Sequence, residues 1–166
     1  MKTNVKPIPD GFHTLTPYLT IRGAADAIEF YKRAFGARER FRMPGPDGKS
    51  IGQAEIVIGD SIIMLADEVP QFGNLSPQAL NGTPITFALY VEDADASYKR
   101  AVDAGAKIFR PIADQFYGDR AGTVIDPYGY QWSLMTRKEE LTAEELNKRL
   151  EALYAKMAEG QKPGAK

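Results

Sequence analysis

The sequence predicts an α+β fold in which two successive βαβββ modules are followed by a C-terminal helix. A length of 166 residues suits one domain with a single core. The order of one strand, one helix and three strands is indicated twice along the chain. In addition, the tetrapeptide Tyr-Lys-Arg-Ala occurs at 31–34 and again at 98–101, each time shortly before a Gly-Ala pair. Together these features indicate an internal duplication.

The first predicted module covers residues 14–67 and follows an N-terminal extension, residues 1–13. Its first strand is expected at 14–21, where leucine and isoleucine mix with β-branched threonine. A helix is expected at 24–35, because its apolar residues recur at helical spacing and Gly36 follows as a stop signal. Three further strands are expected at 37–43, 51–58 and 61–66, the last two joined by the two-residue turn Gly59-Asp60.

Residues 68–84 contain prolines, glycines and asparagines without periodicity, so we expect a long inter-module loop of the kind that is often functional. The second module is predicted over residues 85–136. Its elements are expected as a strand at 85–91, a helix at 94–104 and strands at 106–116, 122–125 and 131–136. Pro111 interrupts the first of these three strands, and Asp126-Pro127-Tyr128-Gly129 is expected to form the turn before the last.

Residues 137–166 are predicted to contain an amphipathic helix. Thr142 and Glu145 have the spacing of a capping box. An apolar stripe follows before Gly160, formed by Leu146, Leu150, Leu153 and Met157. We expect this stripe to pack on its own domain, and a contact between two chains is the alternative. Residues 161–166 are expected to be frayed.

Composition excludes several classes of function. The chain has no cysteine and a single histidine, His13, which excludes thiolate sites and sites that need two imidazoles from one chain. Twenty-one Lys and Arg residues balance twenty-two Asp and Glu residues, so no basic surface is expected to bind nucleic acid or a membrane. The longest apolar run, 62–66, is too short to span a bilayer, and no signal peptide is indicated. We therefore expect a cytoplasmic protein.

Three stretches resemble the vicinal oxygen chelate superfamily, which holds glyoxalase I, extradiol dioxygenases and the bleomycin-resistance proteins. They are YLTIRGAADAIEFYKRAFGA at 18–37, GQAEIVIGDSIIMLAD at 52–67 and DPYGYQWSL at 126–134. The resemblance covers residues 14–136 and implies that the mixed sheet of each module curls around a ligand cavity. It also implies a homodimer, because members of this superfamily usually complete their cavities by pairing modules within or between chains.

Metal-dependent members of the superfamily take one ligand from the first and one from the last strand of each module. The resemblance places these four positions at Thr16, Met64, Thr86 and Ser133. Methionine suits copper(I), and neutral hydroxyls are poor ligands without a carboxylate. A slip of two residues brings in only non-ligands, namely Tyr18, Ile62, Ala66, Ala88 and Gln131. We therefore predict no metal and no other cofactor.

Aromatic residues are the stronger positive signal for a site. The candidates are Phe116, Tyr117, Tyr128, Tyr130 and Trp132, together with Phe41 and Phe87 on strands expected to face the same cavity. Such rings suit a flat or cationic organic ligand through stacking and cation–π attraction, and core packing is the alternative for each ring.

Two further candidates carry charge. Tyr117-Gly118-Asp119-Arg120 would place a phenol, a carboxylate and a guanidinium at the cavity mouth, unless it serves only as a turn. Glu55 is either an exposed strand carboxylate or a buried acceptor for a cationic ligand.

The residues and the resemblance together favour a metal-independent small-molecule-binding protein with no catalytic residue. Its ligand would be an aromatic or cationic organic molecule, with antibiotics among the candidates, sequestered by affinity alone. One alternative is an isomerase, lyase or dioxygenase of the superfamily that uses a displaced metal site or metal-free acid/base chemistry by Tyr117, Glu55 or Asp119. A third hypothesis is an interaction protein that acts through the C-terminal helix.

Overall fold

The structure, a computed structural model, describes residues 5–160. In the first half of the chain it has β1 (Tyr18–Ile21), α1 (Ala24–Phe35), β2 (Arg38–Pro44), β3 (Ile51–Ile58) and β4 (Ser61–Asp67). In the second half it has β5 (Thr86–Tyr90), α2 (Ala94–Asp103), β6 (Lys107–Asp114), β7 (Asp119–Ile125), β8 (Gln131–Arg137) and α3 (Ala143–Gly160). The predicted α+β fold with a C-terminal helix is confirmed.

The strands form two four-stranded mixed sheets of identical topology. Sheet 1 has the order β1-β4-β3-β2 and sheet 2 the order β5-β8-β7-β6. The first strand of each module pairs in parallel with the last, and the remaining pairs are antiparallel. The repeated topology supports the internal duplication.

The repeated tetrapeptide, however, does not occupy equivalent positions in the two modules. Tyr18 pairs with Met64 as Ala88 pairs with Ser133, and α1 begins at Ala24 as α2 begins at Ala94. The first strands and the helix starts define a shift of 70 residues, from 18 to 88 and from 24 to 94, and the last strands a shift of 69, from 64 to 133. The tetrapeptide recurs at a shift of 67, from 31 to 98, nearly one helical turn out of register. The repeated tetrapeptide is therefore a coincidence, although the two modules correspond in topology.

Strand bounds differ from the prediction where side chains or turns replace backbone pairing. Residues 14–17 lie outside β1, and the Thr16 hydroxyl donates to the His13 carbonyl instead. In the second module, β7 begins at Asp119, three residues before the predicted start. Pro111 is tolerated within β6 because this strand lies at the edge of its sheet, where a missing N–H breaks no ladder.

Each helix packs on one face of its own sheet, and α1 also contacts α2. The buried residues of both modules therefore belong to one core. Asp67, at the end of β4, caps the start of α1 although it is distant in sequence. Its Oδ1 accepts the N–H groups of Gly23 (3.0 Å) and Ala24 (2.9 Å). Gly23 has φ of 87°, a left-handed conformation that suits glycine.

Asp126 joins the two modules inside this core. Its Oδ2 accepts the hydroxyl of Tyr31 from α1 at 2.8 Å and the indole N–H of Trp132 at 2.9 Å. Its Oδ1 accepts the backbone N–H groups of Tyr128 and Tyr130, both at 2.9 Å. Burial raises the pKa of the Asp126 carboxyl although these four hydrogen bonds act in the opposite direction. The carboxylate is thus a fully bonded structural group.

The inter-module loop at 68–84 is held to the body of the protein by Glu68. Its carboxylate accepts Arg22 Nε at 2.5 Å and the backbone N–H of Ser76 at 3.1 Å. Hydrogen bonding from Ser76, and then from Arg22, lowers the pKa of Glu68 to about 2. Ser76 itself is buried, and Gly129 packs against Pro77. The loop therefore has a packing role.

The capping box at the start of α3 is confirmed. Thr142 N and Oγ1 donate to Glu145 Oε2 at 2.9 and 2.8 Å, and Glu145 N donates to Thr142 Oγ1 at 3.2 Å. The apolar side of the helix is less covered than expected, with Tyr154 61% and Met157 53% exposed. The prediction for residues 161–166 lies outside the described residues. No helix in the described part of the chain is long and apolar enough to cross a membrane.

Candidate functional site

Each sheet has one face covered by a helix and one face without a helix, which we call the open face. On sheet 1 the buried positions of β3, including Ala54 and Ile56, face α1. The intervening positions Gln53 and Glu55 therefore point to the open face, as strand alternation predicts. Cross-strand partners share a face, so the open face of sheet 1 also carries Tyr18, Phe41, Met43 and Met64.

Glu55 is the charged group at the centre of this open face. It pairs with Phe41 on one side and with Met64 on the other. Its side chain is only 16% exposed, and Arg40 Nη1 lies 3.5 Å from its Oε2, longer than a direct charge-assisted hydrogen bond. The arrangement is a poorly solvated carboxylate with an aromatic ring and a thioether beside it.

The open face of sheet 2 is more polar. The Tyr90 hydroxyl donates to Asp119 Oδ2 at 2.9 Å, and Asp119 is almost completely buried. This hydrogen bond is the main cause of a raised pKa at Tyr90. Tyr90 was missed by the sequence analysis, although its alternation with Leu89 along β5 could have placed it on the open face.

Several of the predicted aromatic residues lie in the core and not on the open faces. Trp132 is 1% exposed, and its ring centre lies 4.5 Å from that of Phe35 and 4.8 Å from that of Phe87. Tyr130 and Tyr128 also pack against this core. The reason is strand parity, because Trp132 and Leu134 face the helices while Gln131, Ser133 and Met135 face the open side.

Phe87 and Trp132 do reach a smaller pocket of about 230 Å³. Its other walls come from the segment before β1, including His13 and Leu15, and from Ile62 on β4. Among the predicted rings, Phe41 is the one on the open face of sheet 1.

The predicted cluster at the β6–β7 turn is divided between two faces. Phe116 and Tyr117 form an edge-to-face pair with ring centres 5.2 Å apart. Burial, and then Asp119, raises the pKa of Tyr117. Arg120, however, points to the opposite side of the sheet and binds both oxygens of Asp95, at 2.5 and 2.7 Å. Successive strand residues face opposite ways, so Arg120 does not join Asp119 in one site.

The family's metal positions hold a set of side chains that does not fit a divalent cation. Thr86 Oγ1 donates to Gln131 Oε1 at 3.1 Å, and the hydroxyls of Thr123 and Ser133 lie 3.4 Å apart. Met64 accepts Gln53 Nε2 at its sulfur at 4.0 Å. Within residues 5–160 no three His, Cys, Asp or Glu side chains converge on one point. Neutral hydroxyls, an amide and a thioether provide no negative charge to hold such an ion.

Duplicated βαβββ modules with open-faced mixed sheets define a fold class, and sequence comparison identifies the family. Residues 12–134 match the model of the Glyoxalase/Bleomycin resistance protein/Dioxygenase superfamily. The chain therefore belongs to this superfamily, as the resemblance implied. An uncharacterized protein of Mycobacterium bovis is 43% identical over 149 residues, which cover 88% of this chain and 93% of the relative.

Solved structures share the fold. The At5g48480 gene product of Arabidopsis thaliana has a TM-score of 0.60 at 30% identity, covering 74% of this chain and 98% of its own. TioX from Micromonospora has a TM-score of 0.59 at 25% identity, covering 78% and 100%. The fosfomycin resistance protein FosX of Mesorhizobium loti has a TM-score of 0.56 at 16% identity, covering 80% and 95%, which shows the fold alone.

Proposed function

We propose that the protein binds an organic cation with an aromatic or apolar body on the open face of sheet 1, without a metal. The observation that carries this proposal is Glu55, a carboxylate that is 16% exposed and flanked by Phe41 and Met64. A poorly solvated carboxylate stabilises a cation more strongly than an exposed one does. The neighbouring ring adds cation–π attraction, and the thioether adds a polarizable contact.

Exposed apolar side chains support a binding role for both open faces. Tyr18 is 50%, Phe41 44% and Met43 47% exposed on sheet 1. Tyr90 on sheet 2 is 60% exposed, and Phe109 on β6 is 46% exposed. Several large apolar side chains exposed on one sheet face favour a ligand or protein interface there. The proposal therefore includes a homodimer in which a second copy completes the cavity, and an antibiotic of suitable chemistry is one candidate ligand.

The test uses proflavine, a planar cationic acridine, as the probe. Its fluorescence is titrated with chelator-treated protein, and acridine at mildly alkaline pH serves as the neutral analogue. We expect proflavine to bind more tightly than acridine. Glu55→Gln should weaken proflavine binding about tenfold, the value of one charge-assisted contact, and should leave acridine binding unchanged.

Glu29→Gln is the matched control, because Glu29 lies on α1 and its side chain is 54% exposed beside Lys32. Equal proflavine affinity in the native protein and in Glu55→Gln would refute the proposed role of Glu55. Sedimentation with and without proflavine tests the dimer, and a monomer in both conditions would refute the shared cavity.

A second candidate function is metal-free acid/base catalysis, which the Tyr90–Asp119 pair favours. The Tyr90 phenol is 60% exposed and donates its proton to the buried Asp119 carboxylate. If a substrate displaced Asp119 as the acceptor, the phenol could donate to the substrate, with Asp119 holding its orientation. Turnover of small carbonyl or epoxide substrates in the presence of a chelator, lost in Tyr90→Phe, would support an enzyme. A Tyr90→Phe variant that retains such turnover would exclude this assignment.

A further inference from the structure

A sizeable cavity lies beside α2, on the helix side of sheet 2. It has a volume of about 630 Å³ and runs between α2, the end of β5 and the β3–β4 turn of the other module. We call it the α2 groove. Its apolar walls include Phe35, Ile58, Leu89 and Leu134, and its polar residues include Ser97 and Arg100.

The duplication shows what the equivalent space holds in the first module. There, Tyr128 from the β7–β8 turn packs its ring against α1, with ring centres 6.2 Å from Phe30 and 6.3 Å from Tyr31. The shift of 70 residues places Arg100 at the position of Phe30 and Ala101 at the position of Tyr31. The first module therefore fills this space with three aromatic rings of the protein itself.

The two hairpins explain why the α2 groove is open. The β7–β8 connection has five residues, 126–130, and carries Tyr128. The β3–β4 connection has two residues, Gly59 and Asp60, and carries no ring. The second module thus lacks all three rings that fill this space in the first, and apolar side chains such as Leu89 and Leu134 line the space instead.

Arg100 gives the α2 groove a charge preference. Its Nε donates to the carbonyl of Ala34 at 2.9 Å, which fixes the side chain beside the cavity. Among the side chains that the structure describes, residues 5–158, no carboxylate lies within ion-pair distance of its guanidinium, and its terminal N–H groups form no hydrogen bond. Two acidic residues, Glu92 and Asp93, also line the groove. Asp93 Oδ1 accepts the N–H of Ala96 and so caps α2, and Glu92 is exposed to solvent.

We propose that the α2 groove is a second binding site that takes a small aromatic carboxylate. The ring occupies the position that Tyr128 holds in the first module, and the carboxylate binds the terminal nitrogens of Arg100. Ser97 supplies a hydroxyl at the same wall. The groove shares Tyr90 with the open face of sheet 2, and the proposal does not depend on the role proposed for Glu55 on sheet 1.

The probe is 4-fluorophenylacetate, observed by fluorine NMR during titration of the native full chain. A fragment of this size is expected to bind with a dissociation constant of about 1 mM. The neutral isostere 4-fluorophenylacetamide should bind about fivefold more weakly, because it loses the charge-assisted contact with Arg100. Arg100→Gln should remove the preference for the acid.

Two variants separate loss of the site from loss of the fold. Ala96→Phe places a ring in the groove from an exposed position of α2 and should abolish binding of the acid. Lys99→Phe is the matched control on the same helix, at a side chain that is 75% exposed and outside the groove, and should bind like the native protein. Equal binding in Ala96→Phe and Lys99→Phe, no preference for the acid, or no binding at all would each overturn the proposal.

Discussion

The carboxylate of Asp126 is the polar contact on which the packing of the two modules most depends, and Asp126→Asn tests it. In this variant the amide oxygen still accepts the backbone N–H groups of Tyr128 and Tyr130. The new NH₂ group faces the Tyr31 hydroxyl and the Trp132 indole N–H. The Tyr31 hydroxyl is able to rotate and accept a hydrogen bond, whereas the indole N–H can only donate.

The expected cost follows from that mismatch. One buried donor left without an acceptor destabilises a protein by about 1–3 kcal/mol. The neutral amide avoids the desolvation that raises the pKa of Asp126, which offsets part of this loss. We therefore expect Asp126→Asn to lower the free energy of unfolding by about 2 kcal/mol. Tyr31→Phe removes a single donor and should cost about 1 kcal/mol.

The assay is urea unfolding followed by the fluorescence of Trp132, the single tryptophan of the chain. Circular dichroism on the same samples checks that both probes report one transition. If Asp126→Asn is as stable as the native protein, or costs less than Tyr31→Phe, the assignment of Asp126 as the central acceptor is wrong.

Three further predictions concern particular contacts. Glu68 has a folded-state pKa of about 2 against an ordinary value of 4.5, so its stabilising contribution is present above pH 4.5 and is lost as the pH falls towards 2. The stability difference between the native protein and Glu68→Gln, measured by thermal unfolding, should shrink over that range, and a constant difference would contradict the assignment. Gly122→Ala should lower the free energy of unfolding in urea by about 1–3 kcal/mol, because the added Cβ would lie 2.7 Å from the Tyr98 ring and 2.8 Å from the backbone of Ile112. An unchanged free energy of unfolding would contradict this close packing of α2 and β6 against β7. Thr142→Ala should cost about 1 kcal/mol of α3 helix stability, seen as faster amide exchange in the first turn, whereas unchanged exchange would show that the capping box is not needed.

Local signals explain the elements that the sequence predicts well. The bounds of α1 and β3 are as predicted, because helical spacing ends at a glycine and strict alternation ends at a two-residue turn. Gly36 has φ of 68°, the left-handed conformation of a helix end. These features depend on residues that are neighbours in the chain.

The candidate site depends on contacts between distant residues, which a single sequence does not reveal. Tyr31 and Asp126 are 95 positions apart, and Tyr90 and Asp119 are 29 apart. Strand alternation along β3 places Glu55 on the face opposite to Ala54 and Ile56, as observed. The same alternation along β8 places Trp132 on the face of Leu134, in the core. Aromatic composition alone does not show this.

The absence of a metal-ligand set on the open faces is the central claim, and equilibrium metal content tests it most directly. Protein purified without chelator is dialysed against excess Zn²⁺, Mn²⁺ or Fe²⁺ and then against metal-free buffer, and retained metal is measured per chain. Because the positions Met64, Thr86 and Ser133 offer no charge, the account predicts retention far below one ion per chain. One tightly held ion per chain, released by Glu55→Gln, would contradict the account and place a metal centre on the open face of sheet 1.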